Sequence, residues 1–223
     1  MRQRLAVALA GATLLALATS AAPDAADEKI DLATWDQSGA YRGIRATEFL
    51  GSEVRGKTGT PIGEVDSLYV DRDGQVTKIV VESESVFDAG HVHLAVPWDD
   101  VVLGAADHAV AVPVDADNLT DFSLFREDPA PGVAAWRATD LLYDLVYLAS
   151  GDQYGIMEDL IFSREGRIEA VVVSPDIAFR ERARKAYPWY GPGYDAEVNR
   201  YTLPYDLREI ELLGPFDYNA MKD

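Results

Sequence analysis

Residues 46–81 read ATEFLGSEVRGKTGTPIGEVDSLYVDRDGQVTKIVV, and residues 138–173 read ATDLLYDLVYLASGDQYGIMEDLIFSREGRIEAVVV. The two stretches align without a gap at a constant offset of 92. Gly59, Gly63 and Gly74 fall on Gly151, Gly155 and Gly166, Leu68 on Leu160, and Arg72 on Arg164. Val80-Val81 fall on Val172-Val173, and the register carries on to Phe87 and Phe179. Glycines kept in step over this span mark an internal duplication, which is settled before any element is assigned. A second match, Ala95-Val96-Pro97-Trp98-Asp99 with Thr202-Leu203-Pro204-Tyr205-Asp206, has an offset of 107 and places 15 extra residues in the second copy.

Each copy reads as short strands joined by tight turns. Val65, Leu68 and Val70 give an imperfect alternation over Gly63 to Val70, and Val76 to Val81 is β-branched apart from Lys78. Asp71-Arg72-Asp73-Gly74 between them is a hairpin turn, with Gly supplying the left-handed position, and Ser163-Arg164-Glu165-Gly166 repeats it. Thr47 and Thr139 are placed to N-cap one helical turn ahead of the first strand. The fold class expected is all-β: two tandem small β-barrels with short helical turns and a partly helical linker. The expected boundaries are a signal peptide at 1–21, a flexible acidic segment at 22–43 pinned by Trp35 and Tyr41, and a first barrel at 44–114. A linker at 115–137 follows, then a second barrel at 138–223 with an insertion near 180–197.

Three blocks carry a family resemblance: Ala46-Thr47-Glu48-Phe49-Leu50-Gly51, then Gly59 with Ile62-Gly63-Glu64-Val65, then Val70-Asp71 with Asp73-Gly74 and Val76. With Val96-Pro97-Trp98, they resemble the PRC-barrel family over residues 44–104. The second copy is more diverged, with Tyr143 in place of the early glycine and Tyr205 in place of the aromatic after proline. This barrel type is found in the H subunit of the purple bacterial photosynthetic reaction centre and at the C terminus of a ribosome maturation factor. The resemblance implies an adaptor or assembly surface, generally without catalysis, and brings no set of functional residues.

Composition narrows the task. The chain has 223 residues, no cysteine, and 20 Lys+Arg against 38 Asp+Glu, a net charge of −18. Disulfide scaffolds, thiolate metal sites and cysteine nucleophiles are thereby excluded. So dense a negative charge repels nucleic-acid phosphate and anionic headgroups. Arg2 and Arg4, the apolar run Leu5 to Ala18, and the small residues Thr19 to Ala22 read as a secretory signal cleaved after Ala21. The mature protein is then expected to be periplasmic or secreted, with no membrane span.

Candidate sites are few. No nucleophile elbow, phosphate loop or dinucleotide fingerprint is present. Asp71-x-Asp73-Gly74 does not begin a calcium loop, because Tyr69 and Val80 would stand at its ligand ends. His91 and His93 share a strand face and would bind metal only if the fold supplied a third ligand; no metal site and no cofactor are expected. Trp98-Asp99-Asp100 could serve acid–base chemistry, but the aromatic-Asp pair recurs as Tyr205-Asp206 and reads as scaffold. The strongest candidate is the basic and aromatic stretch Arg180, Arg182, Arg184, Tyr187, Trp189, Tyr190 and Tyr194, residue types enriched at binding hot spots. Its dull alternative is that the aromatics cover a barrel end. The function expected is a non-enzymatic binding or adaptor protein of the bacterial envelope, with a protein partner or, as a variant, an anionic glycan. The alternatives are an acidic cation-binding or storage protein and, third, an enzyme using Asp99 and Asp100.

Overall fold

The computed structural model describes residues 28–83, 92–104, 109–115, 117–118, 121–122, 135–179 and 183–221. The signal-peptide reading and most of the linker lie outside them. The first unit contains β2 (Glu53–Arg55), β3 (Pro61–Asp71), β4 (Val76–Ser83), β5 (Val92–Pro97), β6 (Val102–Leu103) and β7 (Val110–Ala111). The second contains β9 (Leu145–Tyr147), β10 (Gln153–Phe162), β11 (Ile168–Pro175), β12 (Lys185–Tyr187), β13 (Tyr194–Asp195) and β14 (Arg200–Thr202). Their sheets run β5-β4-β3-β2-β7-β6 and β12-β11-β10-β9-β14-β13, the same order twice. The all-β, two-unit reading holds, and Gly74 and Gly166 take φ of 78° and 80° at the two hairpin tips.

Two further strands cross between the units. β1 (Ile44–Arg45), which precedes the first unit in sequence, pairs with β10 of the second, Ile44 opposite Phe162. β8 (Ala135–Arg137), which precedes the second unit, pairs with β3 of the first, Trp136 opposite Val70. The exchange is reciprocal, so neither 44–114 nor 138–223 contains all of its own sheet. The hairpin tips also meet: Val76 N–H donates to the Gly166 carbonyl at 2.7 Å, and Ile168 N–H to the Gly74 carbonyl at 2.7 Å. One hydrophobic core runs through both units, from Phe49, Leu68 and Val96 to Leu160, Val171 and Tyr201.

The structure revises two local expectations. The first helical turn, α1 (Ala46–Phe49), has Arg45 at its N-cap without a side-chain bond; the Thr47 hydroxyl instead donates to buried Asp159 at 2.6 Å. A buried carboxylate outcompetes the helix end for that hydroxyl. The end of the linker, 135–137, is strand β8 and so part of a sheet rather than a connection; the helical reading of the linker rests on Leu119, Leu124 and Phe125, which lie outside the described residues. The segment before β1 packs on the second unit: Trp35 touches both core clusters, and Tyr41 lies 4.6 Å from Phe216 between ring centroids.

The larger correction concerns the insertion. Val96 pairs with Ile79 in β4, and Tyr187 pairs with Val171 in β11. Tyr187-Pro188-Trp189 is therefore the counterpart of Val96-Pro97-Trp98, at an offset of 91. The same offset carries Val110, which pairs with Val54, onto Tyr201, which pairs with Val146. The second copy is one residue shorter over this stretch and holds no 15-residue insert. Pro204-Tyr205-Asp206 belongs to the tail after β14, where Asp206 caps α2 (Leu207–Ile210) with a reciprocal Glu209 bond.

Candidate functional site

The duplication allows each surface of one barrel to be compared with the same surface of the other. One surface that differs in chemistry is a row of residues crossing four strands on the outer face. In the first unit it runs Glu53, Glu64, Glu82, His93, each directly opposite the next. In the second it runs Leu145, Ile156, Ser174, and then Arg184, one step past the Val173–Lys185 pair. Two of the three acidic residues on one barrel, Glu53 and Glu64, are thus replaced by apolar ones on the other, and the third, Glu82, by serine.

Tyr143 extends the apolar end of this row. It holds φ of 70°, the left-handed region, at the position where the first copy has Gly51 at 78°. A bulky residue in that region is strained by about 1–3 kcal/mol and persists where the surroundings fix it. Here the Tyr143 N–H donates to the Met157 carbonyl at 2.7 Å and Met157 N–H to the Asp144 carbonyl at 3.0 Å, which pins the turn. The ring gains nothing from the core, because Tyr143 is 66% exposed, beside Leu145 at 38% and Ile156 at 39%. Asp140, paired with Arg137 at 3.5 Å, and Asp144 flank it in sequence. Burial first, then repulsion from Asp140, pushes the Asp144 carboxyl above its ordinary range.

The basic and aromatic candidates divide. Arg180 and Arg182 lie outside the described residues. Tyr187, Trp189 and Tyr194 are buried. The Tyr187 hydroxyl donates to that of Tyr154 at 2.9 Å, and Trp189 and Tyr194 pack on Trp136 at 6.1 and 5.4 Å. These rings belong to β12 and the seam because they continue a core strand, so they offer no free surface. Half-buried Tyr190 gives its N–H to the Tyr201 hydroxyl at 2.8 Å. Arg184 is at the surface, paired with Glu158 at 3.1 Å and stacked 4.6 Å from the Tyr218 ring centre.

Residues 42–119 match the family model of the PRC-barrel domain. The first unit is a PRC-barrel domain. No curated protein matches the chain. Among solved structures, one from Pseudomonas aeruginosa, described as a 16S ribosomal RNA processing protein, RimM, covers 65% of this chain and 98% of its own. Its sequence identity is 13% and its TM-score 0.28.

One more difference separates the two units. Leu94, inside the first barrel, is matched by Lys185, whose ammonium donates to the Ile210 carbonyl at 2.9 Å. Lys185 forms part of the wall of a cavity of about 690 Å³ with Tyr154, Phe179, Leu207, Ile210 and Glu211. Asp99 and Asp100 are exposed on the short turn after β5, and Trp98 beside them is buried against Phe49 and Phe162 at 6.1 and 5.7 Å. The aromatic of that motif is core, in keeping with a scaffold role. Sequence reasoning noted Tyr143 as a lost glycine but missed Leu145 and Ile156, which converge only through the β9–β10 register.

Proposed function

We propose that this is an exported, non-catalytic interaction protein of the bacterial envelope, which binds a partner protein through Tyr143, Leu145 and Ile156 on its second barrel. The observation that carries the reading is the exposed tyrosine in a left-handed backbone where the sister barrel has glycine. A strained aromatic that contributes nothing to the core is retained for what it touches outside. Leu145 and Ile156 supply the adjoining apolar area, and Asp140 and Asp144 give it an acidic edge that favours a partner with apolar side chains inside a basic rim. The signal-like N terminus supports export, and the PRC-barrel domain supports an adaptor role.

The test restores the first barrel's residues in the second. Tyr143→Gly and Ile156→Glu proteins are compared with the wild type as baits in an envelope extract, with thermal unfolding measured alongside. The expected result is loss of a specific partner at an unchanged or higher melting temperature. Equal capture by all three proteins, or no specific partner for a folded wild type, would sink the proposal.

A further inference from the structure

We infer that the first barrel carries a binding site for a divalent transition-metal ion, of which zinc is the best fit, formed by Asp66, Glu82 and His93. This is independent of the partner surface proposed for the second barrel. The three side chains come from three neighbouring strands, β3, β4 and β5, and each offers a ligand atom within 4.8 Å of the others. Glu82 and His93 are cross-strand neighbours. Asp66 joins them through a β-bulge: the register steps from Val65–Val81 to Ser67–Val80, leaving Asp66 as the extra residue. Bulges re-aim side chains and recur beside functional sites.

The second barrel shows what this position accommodates. There the bulge residue is Glu158, between Met157–Val173 and Asp159–Val172. Ser174 stands for Glu82 and Arg184 for His93, and the Arg184 guanidinium lies 3.1 Å from Glu158. One barrel thus holds a built-in cation against one carboxylate. The other has two carboxylates, an imidazole in place of the guanidinium, and Glu64 directly opposite Glu82. Like charges facing each other across a ladder repel, and a bound cation removes that cost. The ion pairs among the described residues leave Asp66 and Glu82 without a Lys or Arg partner.

The donor set names the ion. An imidazole suits zinc, copper, iron or nickel rather than calcium or magnesium, and two carboxylates complete three protein ligands with a fourth position for water. Ligand atoms around one tetrahedral zinc lie roughly 3.4 Å apart, so atoms within 4.8 Å of one another need to close by at most about 1.4 Å. Glu82 is exposed, so its carboxylate has room to turn toward the other two.

The test is calorimetric titration of the protein with zinc chloride, with and without excess magnesium, beside zinc-dependent thermal unfolding. The wild type is expected to bind one ion saturably, to resist magnesium, and to melt at a higher temperature with zinc. His93→Arg installs the second barrel's residue, and Glu82→Gln is a milder change. Each is expected to weaken zinc binding at least tenfold while the zinc-free melting temperature holds. A folded wild type that gives no saturable heat would overturn the site. So would zinc binding that survives both substitutions, or displacement of zinc by magnesium, which marks diffuse attraction to an acidic surface.

Discussion

The indole N–H of Trp189 donates to the backbone carbonyl of Arg72 at 2.9 Å, from one barrel into the hairpin turn of the other. The relationship is reciprocal. Trp98 lies so close over Gly166 that a Cβ there would fall 2.5 Å from its indole nitrogen. Each barrel thus lends the tryptophan after its proline to the other's turn, and the seam is built twice from the same motif.

Replacing Trp189 with Ala removes a ring packed on Trp136 and Tyr201, the latter at 5.7 Å, together with its bond to Arg72. The expected loss is about 3–5 kcal/mol, as for other buried large-to-small changes. Because the core is continuous, both barrels should lose stability together in one cooperative transition. Urea unfolding followed by tryptophan fluorescence and by far-ultraviolet dichroism checks this. Separate midpoints would show that the barrels unfold independently.

Two glycines separate steric crowding from backbone strain. Gly74 and Gly51 both hold φ of 78°, but a Cβ on Gly74 would meet Trp189 at 2.6 Å, whereas on Gly51 it meets nothing within 4 Å. Gly51→Ala should cost only the conformational strain, about 1 kcal/mol. Gly74→Ala should cost clearly more, because Trp189 must also move. Equal losses in chemical denaturation would mean that the seam has slack.

Asp159 is fully buried and accepts from the Arg45 Nε at 2.8 Å, the Thr47 hydroxyl at 2.6 Å and the Thr47 N–H at 3.1 Å. All three donors come from the other half of the sequence. Asp159→Ala leaves Arg45 without this partner and should destabilise by about 3 kcal/mol. The first copy has Ser67 here, bonded to Thr139 at 3.2 Å. Asp159→Ser should therefore be less harmful than Ala, which comparative thermal unfolding resolves.

Asp144 has a carboxyl oxygen that is buried without a hydrogen bond, and its carboxyl is raised above the ordinary value by burial and by Asp140. A folded-state pKa above the unfolded one favours the fold at low pH and works against it once pH rises through the folded value. Asp144→Asn should accordingly raise the melting temperature at neutral pH. The gain should shrink toward zero as the pH falls below the unfolded carboxyl range. A gain independent of pH would point to packing instead of charge.

The duplication, the hairpin glycines and the all-β class were legible because each leaves a local or periodic mark. Gly74 and Gly166 announce their turns whatever surrounds them. The exchange of β1 and β8 left no such mark: Ile44 reads as a strand residue, but nothing near it names Phe162. The offset of 107 arose from matching Val96-Pro97-Trp98 to Leu203-Pro204-Tyr205, although Tyr187-Pro188-Trp189 was a nearer counterpart. Taking that run for an insertion made buried rings look like surface anchors. Asp66, Glu82 and His93 stand apart in sequence and meet only through a register shift, whereas Tyr143 was visible as the glycine that the second copy lacks.

The crossing of β1 also bears on how the protein comes into being. A chain made from its N terminus brings out Ile44 long before Phe162, its partner in the ladder. Trp98 likewise precedes the Gly166 turn on which it rests. Neither barrel can finish while the ribosome is still reading the second. Since long-range pairing must await both partners, neither sheet is complete until most of the chain has been made.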